Sequence, residues 1–147
     1  MFTRLAGLVH DIGKLTVPAE ILAKPARPAE IEFELTKCHS AAAFDTLGSI
    51  DSGQPVADIV IQRHERQDGF GYPTGLAGDV VLPLAGMLPV SDVVEAMASH
   101  RLCRAALGVE AALEEIRSGA GTRYDADAAP ARERVFRLGF DLEELRA

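Results

Sequence analysis

Metal-ligand side chains are scattered along this 147-residue chain: the pair His10–Asp11, then His39, His64 and Asp92. A histidine followed directly by an aspartate, with Gly13–Lys14 just behind, is out of place in an apolar run containing Leu5, Ala6, Leu8, Val9 and Ile12. Apolar surroundings penalise a charge unless something pairs with it. A bound cation is the simplest such partner. Imidazole with carboxylate suits divalent iron, manganese or zinc better than a soft thiolate site would.

The pattern around these residues reads as helical. The length is that of one domain, residues 1–147, large enough for a real core. Alanine, leucine and valine dominate the apolar residues, tryptophan is absent and aromatics are few, which favours helices over sheets. Helices are expected over about 2–12, 18–23, 29–47, from Pro55 through His64, 83–99, 109–117 and 128–145. On the long third helix Ile31, Leu35, Cys38 and Ala42 fall near one face, and His39 points to the same core. Pro89 should kink its helix or open one hydrogen bond just before Asp92. Residues 66–82, rich in glycine and bounded by proline, read as a loop in which Gly69 and Gly71 allow positive φ or close approach.

Composition excludes some functions. The formal charge of −7 argues against broad nucleic-acid binding. It leaves an anionic small molecule open, because Lys14, Arg63, Arg66, Arg101 and Arg104 lie in or near the motif segments. Two cysteines, Cys38 and Cys103, make no disulfide framework and suit a reducing cytoplasm. No apolar run spans a bilayer, and the start carries no recognisable export signal.

Residues 64–73 spell HERQDGFGYP and residues 10–14 spell HDIGK. Together these segments resemble the HD-GYP family of bacterial cyclic di-GMP phosphodiesterases. The likeness continues through VPAEILAKP (17–25), ELTKCH (34–39), the helix around Asp92, Arg101 with Arg104, and GAGTRYD (119–125). It therefore covers about residues 5–127.

The resemblance implies an all-α bundle of the HD-domain type with a GYP loop between helices. It implies two divalent ions, iron or manganese, with Asp11 bridging. His10, Asp11 and Asp92 would serve one ion, and Asp11, His39 and His64 its neighbour. Paired ions let a water between them lose a proton near neutral pH. Lys14 would stabilise charge on the scissile phosphate, with Glu95 in the place of an acidic helper. Tyr72, Arg101 and Arg104 would hold the dinucleotide, arginine by its planar fork on phosphate oxygens. Glu65 would support His64 as an acceptor behind it. Asp68, Gly69, Gly71 and Pro73 would set the loop. Taken singly, each has a plainer reading: a core histidine for His39, a cap for Asp92, a solvated face for the two arginines and for Glu95, a loop tyrosine packed on the core for Tyr72.

Two departures from the family pattern stand out. Where the family has two adjacent histidines before the glutamate, the first here is Arg63, which cannot ligate a metal. It could weaken one ion, cost a third ion found in some members, turn outward or hold a phosphate. The family also takes a ligand from a helix upstream of the HD pair. The nine residues before His10 include no histidine, aspartate or glutamate. Either the chain is a piece of a longer protein, or one ion has three protein ligands plus water. Between the arginines, Cys103 replaces a usual tyrosine.

The implied activity is hydrolysis of cyclic di-GMP to pGpG and onward to GMP in bacterial second-messenger signalling. The alternative is a degenerate module that binds the dinucleotide or a signalling partner without turnover. A phosphohydrolase for another nucleotide also stays open. Expected partners are a sensor or receiver domain in a longer chain, or diguanylate cyclase-type proteins at the GYP loop. DNA is not among them.

Overall fold

A computed structural model of the chain describes residues 2–50, 55–98 and 107–138. Among them the regular elements are all helical, beside two isolated bridges. They are α1 (Phe2–Val9), α2 (Ala19–Leu22), α3 (Glu30–Gly48), α4 (Val56–Ile61), α5 (Pro83–Ala98), α6 (Val109–Gly119) and α7 (Ala128–Arg137). Short 3-10 turns cover Ile12–Thr16, Gln62–His64 and Gly78–Val80. The all-α expectation holds. Among the described residues no helix is long and apolar enough to cross a membrane.

Two apolar clusters hold the helices together. Ala6, Ala43, Leu47, Val56, Ile59, Val60, Val81, Ala85 and Leu88 form the first. Val90, Val94, Ala112, Leu113, Ile116, Tyr124, Ala128 and Ala129 form the second. Helix α5 contributes to both, Ala85 and Leu88 from its first half, Val90 and Val94 from its second. It runs through Pro89, whose missing N–H removes the donor for the Ala85 carbonyl.

The first helix stops earlier than its apolar pattern predicts, at Val9 instead of near residue 12. His10 turns its Nδ1 to the Gly7 carbonyl (2.5 Å), and the chain tightens into the Ile12–Thr16 turn. Gly13 explains the tightening. A Cβ there would lie 1.9 Å from the His39 carbonyl oxygen and 2.8 Å from the Ala43 nitrogen. Only glycine lets this turn lie flat on α3.

Helix α3 starts where Glu32 reaches back to the Ala29 N–H (2.6 Å), half of a capping box, while also receiving Lys24 (2.6 Å). Its buried face is not the expected one. Ile31, Leu35 and Cys38 are exposed, whereas His39, Ser40, Ala43 and Leu47 are buried. Gly13 lies on the backbone of His39 and Ala43, so this stretch of the buried face takes the small Ser40 and Ala43, while Leu47 joins the core one turn further on. Helix α4 ends at Ile61, and the 3-10 turn after it swings Arg63 and His64 inward at three residues per turn. Helix α7 is described to Arg137. It closes there, with Leu138 as its C-cap, short of the expected 128–145, and the residues after 138 lie outside the described residues.

Gly13→Ala should lower stability by about 1–3 kcal/mol or more through overpacking. Urea unfolding would show this as a lower midpoint at unchanged slope. A midpoint equal to that of the parent would contradict the close approach.

Candidate functional site

The turn after α1, the middle of α3, the turn after α4 and the second half of α5 meet at a cleft of about 470 Å³. His10, Asp11, Lys14, His39, His64 and Asp92 all line it, with Arg63, Tyr72 and Glu95. The ligand-type residues separated in sequence are thus brought together.

One corner holds His10 and Asp92. The His10 Nδ1 bonds the Gly7 carbonyl, which turns Nε2 into the cleft. That nitrogen faces Asp11 Oδ1 at 3.5 Å and Asp92 Oδ1 at 3.6 Å. Burial pushes the Asp92 carboxyl up, against the pull of His10.

The other corner holds His39 and His64. His39 Nδ1 donates to the Thr36 carbonyl, which leaves the Nε2 lone pair facing His64 Nε2 at 3.1 Å. Two such lone pairs repel unless a cation joins them. Arg63 is that cation. Its guanidinium donates from Nη2 to His39 Nε2 (2.6 Å) and to Asp11 Oδ1 (2.8 Å), and from Nε to His64 Nε2 (3.0 Å). Arg63 is 1 % exposed. Its Nη1 is buried without a hydrogen-bond partner.

These contacts set the charges. Desolvation works upward on Asp11, but hydrogen bonds from Lys14 and Arg63 prevail and hold it at about 2. His64 falls from 6.5 to about 3, first through desolvation and then through the charge of Arg63. His39 is lowered for the same reasons. Burial raises Tyr72 to about 12.

The two corners differ in what they offer a divalent ion. Among the described residues no three histidine, cysteine, aspartate or glutamate side chains are gathered as a ready metal cluster. At the His10 corner, separations of 3.5 and 3.6 Å are those of ligands that share an ion about 2.1 Å from each. Imidazole with two carboxylates is also suitable chemistry. At the His39 corner the lone pairs are occupied by a guanidinium, and an ion does not fit. The expected pair of ions bridged by Asp11 therefore loses support on the His39–His64 side.

Lys14 lies against the site, its Nζ 2.6 Å from Asp11 Oδ2. Glu95 lines the same cleft. Tyr72 stacks on His64, with centroids 4.7 Å apart and planes at 19°. Its N–H donates to the His64 carbonyl (3.1 Å).

Glu65 serves a different purpose from the expected one. It is buried, and its oxygens accept from Thr74 N (2.8 Å), Thr74 Oγ1 (2.7 Å) and Leu76 N (3.0 Å). It braces the loop, not His64, because the chain turns extended at Glu65 and aims the carboxylate away from the imidazole. Asp68 takes both Arg66 nitrogens (3.0 and 2.5 Å) and the Phe70 N–H (3.1 Å), which ties the Arg66 charge to the loop. Gly71 is a close approach: a Cβ would lie 2.4 Å from Glu65 Cα. Gly69 has φ +78°, and Tyr72–Pro73 is cis. Arg101, Cys103 and Arg104 lie outside the described residues.

Sequence reasoning missed Thr36, whose carbonyl fixes the His39 tautomer, and Phe33 and Lys37 beside Tyr72. Phe33 meets Tyr72 edge-on at 6.4 Å, and the Lys37 ammonium lies 5.7 Å from the Tyr72 ring. The spacing of Phe33 and Lys37, one helical turn apart, was the available signal.

A family model described as an HD domain matches residues 2–128. Among curated proteins, a 3'3'-cGAMP-specific phosphodiesterase of Vibrio cholerae is 30 % identical over 94 % of this chain and 30 % of its own length. A cyclic di-GMP phosphodiesterase of Thermotoga maritima is 37 % identical over 87 % of the chain and 35 % of its own length. One of Pseudomonas aeruginosa is 44 % identical over 66 % of the chain and 24 % of its own length. The chain thus spans about a third or less of the length of these relatives.

The depressed imidazoles make stability depend on pH. Below the ordinary 6.5 the unfolded chain takes up protons that the folded chain refuses until about 3 at His64. The unfolded state then binds more protons, so stability rises with pH. In metal-free protein the thermal midpoint should fall as pH drops from 6.5 to about 5, and the fall should be shallower in His64→Gln. A midpoint independent of pH over that range would remove the assignment of neutral histidines around Arg63.

Proposed function

We propose that this chain, which belongs to the HD-GYP family of HD domains, is the metal-dependent phosphodiesterase part of a cyclic dinucleotide hydrolase. The observation that carries this reading is the convergence of His10, Asp11, Asp92 and Lys14 at one cleft beside Tyr72. Its preferred substrate is cyclic di-GMP, the compound in the names of two of the relatives above. Another relative is named for 3'3'-cGAMP, so the same cleft chemistry is compatible with either.

Charge supports a resident divalent ion. Asp11, Asp92 and Glu95 face the cleft against the cations Lys14 and Arg63. A phosphodiester anion would meet net negative charge there without a further cation. Manganese or iron suits the imidazole and carboxylate set, with His10, Asp92 and Asp11 to hold it. Bound there, the ion would supply a water acidified towards hydroxide near neutral pH and would neutralise phosphate charge.

The chain's own residues do the remainder. Lys14, held against Asp11, is placed to meet the charge that grows on the phosphoryl oxygens. Asp11 keeps its charge through Lys14 and Arg63. Tyr72 covers His64 and forms one wall of the cleft, a flat surface suited to a purine base. The oxygen of water adds to phosphorus, the P–O3′ ester bond breaks, the departing 3′ oxygen takes the water's proton, and the ring opens to the linear dinucleotide pGpG. A second cut yields GMP. Arg101 and Arg104, by likeness to the family's basic pair, are assigned to the dinucleotide's phosphates.

Arg63 within the histidine corner favours a second reading, a module that binds the dinucleotide without turning it over. Anaerobic assays with Mn²⁺ or Fe²⁺ on cyclic di-GMP, 3'3'-cGAMP and a simple mononucleotide separate the two. Turnover should vanish in His10→Ala and Asp92→Ala and drop about 100- to 1,000-fold in Lys14→Ala. Binding of the dinucleotide with no turnover at any metal concentration selects the second reading.

A further inference from the structure

We infer that the Arg63 guanidinium is a permanent stand-in for an ion at the His39–His64–Asp11 corner, so that the chain takes a single divalent ion, held at His10, Asp11 and Asp92. His39 and His64 present Nε2 to Nε2 at 3.1 Å, an arrangement that needs a shared positive partner. That partner is built into the chain, from the residue next to His64 itself. It contacts all three ligand-type residues of the corner at hydrogen-bond distance, 2.6, 2.8 and 3.0 Å.

A divalent ion cannot share the corner with it. The ion would need the Nε2 lone pairs that Arg63 holds, and a guanidinium has no lone pair to offer it in exchange. The guanidinium is also locked in place. It is buried at 1 % exposure, whereas Asp11, its acidic partner, is half open to the cleft. Swinging outward would break three charge-assisted hydrogen bonds and leave the facing imidazoles unpaired. The guanidinium replaces charge, but it brings no coordinated water. Any water activated by an ion has to come from the His10 corner.

This inference refines where an ion goes and rests on the functional reading only for the use made of that ion. Its test is therefore a count, not a rate. The chain is stripped with chelator, reloaded with Mn²⁺ and assayed for bound metal by elemental analysis and by calorimetric titration. One Mn²⁺ per parent chain is expected, one per chain in His39→Ala, none in His10→Ala, and two in Arg63→His, with folding checked by circular dichroism. A parent count of two or of zero overturns the inference. So does loss of the ion in His39→Ala, or a count still at one in folded Arg63→His. If Arg63→His does not fold, the His39→Ala and His10→Ala counts decide alone. One ion with no hydrolysis of any cyclic dinucleotide would defeat the functional reading and leave this inference standing.

Discussion

A buried guanidinium sets the terms for the centre of this molecule. Isolated, a charge with 1 % exposure would be strongly disfavoured. Arg63 survives there because Asp11, His39 and His64 surround it and because the imidazoles stay neutral. The dependence is mutual. Without the guanidinium, His39 and His64 would face each other lone pair to lone pair, and Asp11 would lose one of the two cations that keep it ionised. The turn after α1, the middle of α3 and the turn after α4 are thus joined by one delocalised charge.

The residues on either side of that contact distribute its precision outward. Arg63, His64 and Glu65 are consecutive, yet each addresses a different neighbour: the histidine corner, the Tyr72 ring, and the backbone of Thr74 and Leu76. A tight turn passing into extended chain is what allows this divergence. The loop from 66 to 77 is therefore positioned from its inner side by Glu65 and from its outer side by a hydrogen bond between Asp68 N and the Thr122 carbonyl (2.8 Å). GAGTRYD belongs to this same scaffold. Gly119 lies so close to Tyr124 that a Cβ would stand 2.6 Å from its ring, and Asp125 caps the start of α7 through the Ala128 N–H (2.8 Å).

Much of this could be read from the chain. The ordered appearance of His10–Asp11, His39, His64 and Asp92 identified the residues that converge on the cleft, since a motif set encodes order even where contacts are non-local. Helices α3 and α5 were legible because both are long and bounded by proline or glycine. The buried face of α3 was not, because hydrophobicity marked Ile31 and Leu35 while close packing demanded the small Ala43 and Ser40. Nor was the direction of Arg63. A long cationic side chain is compatible with solvent, with phosphate or with a buried corner, and only the three-dimensional placement of its acceptors selects among these. Glu65 was misassigned for a related reason: adjacency to His64 in sequence says nothing of direction once the backbone leaves the helix.

The helix that joins the two apolar clusters gives the cleft a mechanical character. His10 follows α1, whose Ala6 belongs to the first cluster, whereas Asp92 rides between Val90 and Val94 of the second. Their 3.6 Å contact is a rivet across the seam between the two. Whatever binds both side chains favours the docked arrangement of the clusters over any in which they part, by the mass action that couples ligand to fold. Occupancy of a site only a few ångströms wide is in this way transmitted to α6 and α7, helices that supply no residue lining it.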